Sequence, residues 1–341
     1  MAKNDNLHKA KRAKADEFYT QLSDIENECK HYWEHFKGKT ILCNCDDPRV
    51  SNFFRYFSLK FEDLGLKKLI ATCYKSNQIE MFSEQNSERA VYIEYYGDKN
   101  GNRQVDDNEL EVKELQGDGD FRSAECIELL KEADIVVTNP PFSLFREYVA
   151  QLVAFEKKFL IIGNKNAITY KEIFKLIKEN KMWIGSMPMS NDLLFRLPKE
   201  ASEELVNTKK QGSAYRIVNG EILGRSSSIW FTNLDHKKRH EELILYKNYT
   251  PEEYPKYANY NVIEVSKTAE IPMDYDGVMG VPITFMDKYN PEQFEIIGMA
   301  EDNGKGLSGE AAEWDRLNPH CIINGKAMYK RIFIRKKIKQ Q

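Results

Sequence analysis

The stretch DIVVTNPPF at residues 134–142 decides the fold, because a strand-like apolar run ends there at an amide, two prolines and a phenylalanine. Residues 134–138 are mostly β-branched and predict a buried strand. Similar runs at residues 40–43, 68–74 and 158–163 predict further strands, and helically spaced apolar residues lie between them. Strands that alternate with helices predict an α/β fold whose parallel sheet is covered by helices on both faces.

Two turns follow strands of this predicted sheet. The polar turn NCDDP occupies residues 44–48, and NPPF occupies residues 139–142. In open α/β sheets, ligands bind beyond the carboxyl ends of the strands. We therefore expect both turns to line one crevice.

The remaining segments predict a more irregular organisation. Apolar residues at helical spacing predict one helix within residues 22–36. The polar residues 76–116 resemble an insertion that carries a surface hairpin. Residues 246–341 are rich in proline, which disfavours a sheet core and predicts a second unit. Near its end, residues 329–337 alternate like an edge strand and carry positive charges that suit phosphate groups.

Composition narrows the class of protein. The chain has 341 residues, of which 41% are hydrophobic and 30% are charged, as is typical of a globular protein with a substantial core. No apolar stretch approaches the roughly 20 residues that a membrane-spanning helix needs. The charged start of the chain lacks the apolar region of a secretory signal. The sequence therefore predicts a cytoplasmic protein without membrane association.

The cysteines do not indicate a metal centre. All six are scattered along a long chain, which is typical of reduced thiols rather than a disulfide framework. Cys43 and Cys45 are close together, but the sequence has no second pair to complete a zinc site. We expect no metal ion.

Charge is segregated along the chain. The formal net charge is −3, yet residues 1–14 and 326–341 are strongly basic, and residues 80–125 are acidic. Basic ends are compatible with solvated tails and also with contacts to the phosphates of a nucleic acid. Charge alone leaves both interpretations open.

The NPPF turn suits chemistry on a planar amino group. The exocyclic amino group of a base is a poor nucleophile because its lone pair is delocalised into the ring. The side-chain oxygen of Asn139 and the carbonyl oxygen of Pro140 can accept its two hydrogens and stabilise the positive charge that develops on nitrogen. Pro140 and Pro141 restrict the backbone, and Phe142 can stack on a base that has left the duplex. The alternative is an ordinary strand exit in which Asn139 caps the next helix.

Together with its surroundings, this turn resembles a known family. NPPF after a strand is similar to the catalytic motif of amino methyltransferases that use S-adenosylmethionine. The longer words of the sequence resemble the EcoRI-type adenine-specific DNA modification methylases. These words are DEFYTQ at 16–21, CNCDDPRVSNFF at 43–54, GDGDFRS at 117–123, DIVVTNPPFSLFREY at 134–148, ITYKEIF at 168–174 and GVMGVPITF at 277–285.

The resemblance implies an architecture and a set of partners. It implies a Rossmann-like methyltransferase sheet covered by helices, with a smaller C-terminal target-recognition unit. Residues 1–15 would form a basic N-terminal arm, residues 16–245 the catalytic domain that binds S-adenosylmethionine, and residues 246–341 the unit that recognises the DNA target. The expected partner is double-stranded DNA, which a monomer would bind. A cognate restriction endonuclease would act on the same site without stable association.

The resemblance also implies roles for individual residues. Asn139, Pro140, Pro141 and Phe142 would form the catalytic pocket. Nine further residues would bind the cofactor: Phe18, Tyr19, Thr20, Asn44, Cys45, Asp46, Asp47, Asp120 and Phe121. The first three of these, Phe18, Tyr19 and Thr20, would surround its methionine part. Within this set, Asp120 would accept a hydrogen bond from the adenine amino group of the cofactor, and Phe121 would lie beside that adenine.

Two features depart from the general methyltransferase pattern. Cys45-Asp46-Asp47-Pro48 replaces the usual Gly-x-Gly of the main cofactor loop, and the predicted strand that ends at Tyr74 lacks the acid that normally binds ribose hydroxyls. We hypothesise that Asp46 or Asp47 supplies this acid.

The sequence thus predicts a site-specific DNA adenine-N6 methyltransferase of a restriction–modification system. Two alternatives stay open. One is a methyltransferase that acts on a different planar amino group, such as an RNA adenine or a protein glutamine amide. The other is a non-catalytic DNA-binding protein on a methyltransferase scaffold, which an intact NPPF motif disfavours.

Overall fold

The computed structural model of the protein describes residues 19–44, 51–72, 90–102, 105–191, 193–196, 199–300, 307–308 and 320–337. The chain divides into two compact units, of which the first comprises residues 1–165 and 190–234 and the second residues 166–189 and 235–341. In the described part of the chain, no helix is long and apolar enough to cross a membrane.

The first unit contains most of the helices and strands. Its described strands are β1 (Tyr19–Thr20), β2 (Thr40–Cys43), β3 (Lys68–Thr72), β4 (Val91–Tyr95), β5 (Leu110–Glu114), β6 (Ile135–Thr138), β7 (Lys158–Asn164), β9 (Leu193–Arg196), β10 (Tyr215–Val218), β11 (Glu221–Ser226) and β12 (Ser228–Thr232). Its described helices are α1 (Leu22–Cys29), α2 (Trp33–Phe36), α3 (Asn52–Leu59), α4 (Phe61–Leu64), α5 (Ala124–Glu132), α6 (Phe145–Ala154) and α8 (Lys199–Thr208).

The second unit has fewer elements. They are helix α7 (Lys171–Lys178) and strands β8 (Trp183–Ile184), β13 (Ile263–Glu264), β14 (Met279–Pro282), β15 (Phe294–Met299), β16 (Ile322–Ile323), β17 (Lys326–Ala327) and β18 (Arg331–Lys336).

A large mixed sheet forms the centre of the first unit, with strand order β5-β4-β3-β2-β6-β7-β12. Strands β3, β2, β6 and β7 are parallel to one another, as predicted. All residues of β2, β3 and β6 are buried, which explains their unbroken apolar pattern. Helices α3, α5 and α6 pack against β3, β2 and β7, respectively. The predicted α/β class with helices flanking a central sheet is confirmed.

Antiparallel strands extend this sheet at both edges and make it mixed. Strand β4 pairs with β3 and β5, so the predicted hairpin exists, but its strands belong to the central sheet rather than standing apart from it. At the other edge, β12 pairs with β7 and all five of its residues are buried. A smaller antiparallel sheet with order β1-β9-β11-β10 completes the first unit.

The helix predicted within residues 22–36 is divided into α1 and α2. Tyr32 leaves helical geometry, with φ −125° and ψ 10°, just before α2 begins. Its ring is fully buried and its hydroxyl donates a hydrogen bond of 2.7 Å to the buried carboxylate of Glu28. The continuous apolar spacing therefore predicts the buried face of this segment but not the break between its two helices.

The second unit is built on a sheet with order β13-β14-β18-β15. The prediction that residues 329–337 form an edge strand is wrong, because β18 pairs with β14 on one side and β15 on the other. Ile332, Phe333 and Ile334 are each 0% exposed, so consecutive side chains on both faces of β18 are covered.

The predicted functional boundary between residues 245 and 246 stays a prediction. The compact units follow a different division, since the second unit begins at residue 235 and also includes residues 166–189.

Candidate active site

The first residue of the predicted turn after β2 lies at the carboxyl edge of the central sheet, next to the end of β6. Strands β2 and β6 are parallel neighbours, in register from Ile41 opposite Ile135, so their carboxyl ends lie together. The hydroxyl of Thr138, the last residue of β6, donates a hydrogen bond to the carbonyl oxygen of Asn44, which follows β2. Asn44 and Asn139 are each 7% exposed. The structure thus brings the first residues of both turns to one place, as predicted.

The NPPF segment leaves the sheet in an extended conformation and then turns. Pro141 has φ −55° and ψ 125°, and residues 142–144 form a 3-10 turn in which the amide of Leu144 donates to the carbonyl of Pro141 over 3.0 Å. Asn139 and Pro140 are buried, whereas Pro141 and Phe142 are half-buried. The ring of Phe142 is therefore partly accessible to a ligand.

Asn139 does not cap the helix that follows it. Helix α6 begins at Phe145, and its N-cap position is Leu144, whose side chain makes no capping hydrogen bond. The 3-10 turn that precedes α6 has Pro141 at its N-cap, again without a side-chain cap. The alternative interpretation of Asn139 as a capping residue is therefore wrong.

The segment GDGDFRS places an acid and an aromatic ring beside α6. Gly119 has a φ of +78°, a region that glycine adopts freely, and the amide of Asp120 donates to the carboxylate of Asp118 over 3.0 Å. Phe121 is 7% exposed, and its carbonyl oxygen accepts a hydrogen bond of 3.0 Å from Gln151 of α6.

Arg122 holds the carboxylate of Asp120 by two bonds. Its Nε atom donates to Oδ1 over 2.9 Å and its Nη2 atom to Oδ2 over 2.6 Å. These side-chain hydrogen bonds hold the pKa of Asp120 below its usual range. A carboxylate has about four lone-pair sites, so an ionised Asp120 retains acceptor capacity for a ligand.

Tyr148 of α6 links these segments and is a contact that the motifs alone do not indicate. Its hydroxyl donates a hydrogen bond to Oδ1 of Asn44. Its ring packs edge-on against Phe121, with ring centroids 5.0 Å apart and planes at 72°. Arg122, Glu147 and Tyr148 all lie inside the words that carried the resemblance, GDGDFRS and DIVVTNPPFSLFREY. The resemblance of these two segments to the family is therefore the feature of the sequence that could indicate a role for these residues.

The first predicted cofactor segment lies beside helix α3. Tyr19 and Thr20 form β1, and the side-chain amide of Asn52 donates a hydrogen bond of 2.8 Å to the carbonyl oxygen of Thr20. Asn52 is the first residue of α3, and Ser51 caps this helix by accepting from the amides of Phe53 and Phe54. Thr20 therefore lies next to the first turn of α3.

The hydroxyl of Thr20 is a candidate ligand contact. Thr20 is 1% exposed, and its Oγ1 atom has no hydrogen-bond partner among the described residues. An unsatisfied buried hydroxyl is costly unless something else pairs with it. Four of the predicted cofactor residues lie outside the described residues: Phe18, Cys45, Asp46 and Asp47. The hypothesis that Asp46 or Asp47 binds ribose therefore stays a prediction.

These residues fit an adenosine-containing cofactor with a methionine part. Asp120 is an ionised acceptor, Phe121 is an aromatic neighbour, and Thr20 supplies a buried polar atom in need of a partner. The described residues contain no group of three or more His, Cys, Asp and Glu that could hold a metal ion.

A central sheet with four parallel strands and an NPPF turn at the end of one of them defines the class of Rossmann-like methyltransferases. The family described as "Adenine-specific methyltransferase EcoRI" matches residues 6–337. The chain belongs to this family, which confirms the predicted resemblance and the predicted enzyme class.

Curated relatives agree with this assignment. The chain is 51% identical over 340 residues to "Type II methyltransferase M.EcoRI" of Escherichia coli, covering 98% of each chain. It is 37% identical over 347 residues to "Type II methyltransferase M.MpnI" of Mycoplasma pneumoniae and to "Type II methyltransferase M.MgeORF184P" of Mycoplasma genitalium, covering 97% of this chain and 98% of each relative. No solved structure matches the chain.

Proposed function

We propose that the protein transfers a methyl group from S-adenosylmethionine to the N6 amino group of an adenine at a specific site in double-stranded DNA. In this role it is the modification methyltransferase of a restriction–modification system, as the names of its Type II relatives suggest. The observation that carries the proposal is the NPPF turn directly after β6, whose last residue, Thr138, donates a hydrogen bond to the carbonyl oxygen of Asn44.

The proposed chemistry follows from the acceptors in this turn. The side-chain oxygen of Asn139 and the carbonyl oxygen of Pro140 accept the two hydrogens of the adenine amino group. This contact draws the lone pair onto nitrogen and stabilises the positive charge that forms as nitrogen attacks. The surplus proton leaves the methylated amino group afterwards. Removing one such contact in a preorganised site typically slows a reaction by about 100-fold or more.

Phe142 supplies the aromatic surface of the pocket. An adenine inside a duplex cannot reach a turn at the edge of a sheet, so the base must rotate out of the helix. The half-buried ring of Phe142 then stacks on the extruded adenine. Stacking of a base on an aromatic side chain contributes about 1–3 kcal/mol.

The remaining predicted site residues would bind the methyl donor. S-adenosylmethionine, when bound, supplies an electrophilic methyl group on a sulfonium. Phe18, Tyr19 and Thr20 would surround its methionine part. Asn44, Cys45, Asp46 and Asp47 would belong to the main cofactor loop, in which Asp46 or Asp47 would bind the ribose hydroxyls. Asp120 accepts from its adenine amino group, and Phe121 lies beside that ring. The buried hydroxyl of Thr20 and the ionised carboxylate of Asp120 support this assignment.

The second unit is the proposed site of target recognition, with the functional unit spanning residues 246–341. Exposed lysines of its C-terminal segment, Lys326 and Lys337, suit phosphate contacts. Arg331 does not, since it is 8% exposed and paired with Glu264. We further propose a monomer that acts in the cytoplasm on the site that a cognate endonuclease cleaves.

Methylation of unmethylated genomic DNA with labelled S-adenosylmethionine tests the proposal, with modified adenines mapped by single-molecule sequencing. We expect methyladenine at one short motif, loss of the label in Asn139→Ala, and full activity in Asn108→Ala, which changes an exposed asparagine of the β4–β5 connection. Label on RNA or on protein glutamine in place of DNA would contradict the proposal, and so would full activity of Asn139→Ala.

A further inference from the structure

Two adjacent residues of α6 reach the two cofactor segments. The hydroxyl of Tyr148 donates to Oδ1 of Asn44, in the segment that follows β2. The carboxylate of Glu147 accepts a hydrogen bond of 3.0 Å from Arg122, whose guanidinium holds Asp120. Since α6 also follows the NPPF turn directly along the chain, one helix joins the proposed catalytic turn to both cofactor segments.

The two contacts differ in strength because they differ in exposure. Arg122 and Glu147 have side chains that are 51% and 60% exposed, and exposed ion pairs contribute little. Tyr148 is 0% exposed and Asn44 is 7% exposed. A hydrogen bond between buried groups is costly to break, because the acceptor that remains loses its partner without gaining water. The contact between Tyr148 and Asn44 is therefore the stronger link.

This contact also fixes which way the Asn44 amide faces. With Oδ1 directed at the Tyr148 hydroxyl, the amide nitrogen Nδ2 is turned away from Tyr148. The backbone of Asn44 is held as well, because its carbonyl oxygen accepts from Thr138. Asn44 thereby presents a hydrogen-bond donor in a fixed orientation at the carboxyl edge of the sheet.

We propose that Tyr148 is a positioning residue for the methyl donor, which orients the amide of Asn44 for cofactor binding through its hydroxyl. This inference rests on the proposed function, because it requires S-adenosylmethionine to bind beside Asn44. It assigns the effect to a single oxygen atom, since the ring of Tyr148 has a separate contact with Phe121. The helix that carries Tyr148 thus couples the cofactor segment to the catalytic turn.

Tyr148→Phe tests this role, because the variant removes the hydroxyl and keeps the ring against Phe121. We expect the Kd for S-adenosylmethionine, measured by titration calorimetry on the full chain, to rise about tenfold, as the loss of one buried hydrogen bond predicts. The Kd for a duplex that carries the target site, measured without cofactor, should change less than twofold. A merely structural role would weaken both ligands together.

A double-variant cycle tests whether Tyr148 acts through Asn44. In an Asn44→Ala background, Tyr148→Phe should have no further effect on the Kd for S-adenosylmethionine. Tyr32→Phe is the matched control, because it removes another fully buried tyrosine hydroxyl that donates to an acceptor, here Glu28. The control should lower the Tm without changing the cofactor Kd.

The outcomes separate this inference from the proposed function. An unchanged cofactor Kd in Tyr148→Phe would overturn the positioning role, and so would equal effects of Tyr148→Phe with and without Asn44→Ala. Either result leaves the proposed function intact when Asn139→Ala still abolishes methylation. Absence of S-adenosylmethionine binding by the unaltered chain would overturn both.

Discussion

The side-chain amide of Asn52 donates a hydrogen bond of 2.8 Å to the carbonyl oxygen of Thr20. This bond ties β1, the first described strand, to the first turn of α3, which follows the proposed main cofactor loop. Thr20 has its backbone oxygen satisfied in this way, whereas its buried hydroxyl has no partner among the described residues. A hydrogen bond from a side chain to the backbone thus joins the first predicted cofactor segment to helix α3, which is distant in sequence.

Replacing Thr20 by valine should separate cofactor binding from stability. An unpaired buried hydroxyl costs free energy in the cofactor-free protein, so Thr20→Val should leave its Tm unchanged or raise it. The same variant should lose most of the rise in Tm that S-adenosylmethionine produces in the unaltered chain. Differential scanning fluorimetry with and without the cofactor measures both effects.

Thr20→Ser is the control for this experiment, since it retains the hydroxyl. It should keep the cofactor-induced rise in Tm. A full rise in Thr20→Val would show that the hydroxyl does not contact the cofactor.

The contact between Arg122 and Asp120 predicts a pH dependence. The pKa of Asp120 is lowered chiefly by its hydrogen bonds to Arg122, so its carboxylate stays ionised well into the acidic range. Arg122→Ala should return this pKa toward the usual value of about 3.9. In the variant, the affinity for S-adenosylmethionine should begin to fall at a higher pH than in the unaltered chain as pH decreases.

The sign for stability follows from the same shift. A lowered pKa in the folded state adds stability above the pKa of the unfolded state, and this stability is lost as pH falls through the folded-state value. Arg122→Ala should remove this increment and Arg122→Lys should retain part of it. Because Arg122 is half-exposed, the increment is small. Urea denaturation measures the change in stability and cofactor titration the change in affinity, both between about pH 3 and pH 6, a range that includes the usual pKa of an aspartate. Identical pH profiles for Arg122→Ala and the unaltered chain would contradict the prediction.

The sequence predicts those strands whose burial on both faces produces a continuous apolar pattern. Strands β2, β3 and β6 are buried on both faces, so their residues form unbroken apolar runs that are visible without a structure. The turn NPPF could be placed at a strand end for the same reason. Asn44 and Asn139 could be placed together because parallel neighbours share a carboxyl edge.

Side-chain pairings between distant segments could not be predicted in this way. Tyr148 and Asn44 are separated by 104 positions, and nothing in the local pattern of either segment indicates their hydrogen bond. The alternating charges of residues 329–337 favour an edge strand, yet one of these charges, on Arg331, is paired with a carboxylate inside the second unit. That partner, Glu264, lies 67 positions away from Arg331.

Loss of one partner from the buried ion pair between Arg331 and Glu264 should destabilise the second unit. Their side chains are 9% and 3% exposed, and Arg331 Nη2 donates to the carboxylate over 2.7 Å. Tyr257 donates a further hydrogen bond to Glu264. Arg331→Met removes one partner and leaves a buried charge, which should lower the free energy of unfolding by about 3–5 kcal/mol.

A double variant distinguishes a lost charge pair from lost packing. Arg331→Met combined with Glu264→Gln removes both charges, so it should be less destabilised than Arg331→Met alone. Urea denaturation of the full chain measures both variants. Equal or greater destabilisation of the double variant would show that packing of the arginine side chain accounts for the effect.

The exposed lysines of the C-terminal segment should act on DNA rather than on stability. Lys326 and Lys337 are exposed, in contrast to the buried Arg331. If each neutralises one phosphate, its replacement by alanine should reduce the slope of log K against log salt by about 1 and weaken binding to all duplexes alike. Fluorescence anisotropy with a labelled duplex at several salt concentrations measures this slope.

The double variant of Arg331 and Glu264 is the control and should retain the full slope, because neither side chain is free to meet a phosphate. An unchanged slope in both lysine variants would place the DNA on another surface of the protein.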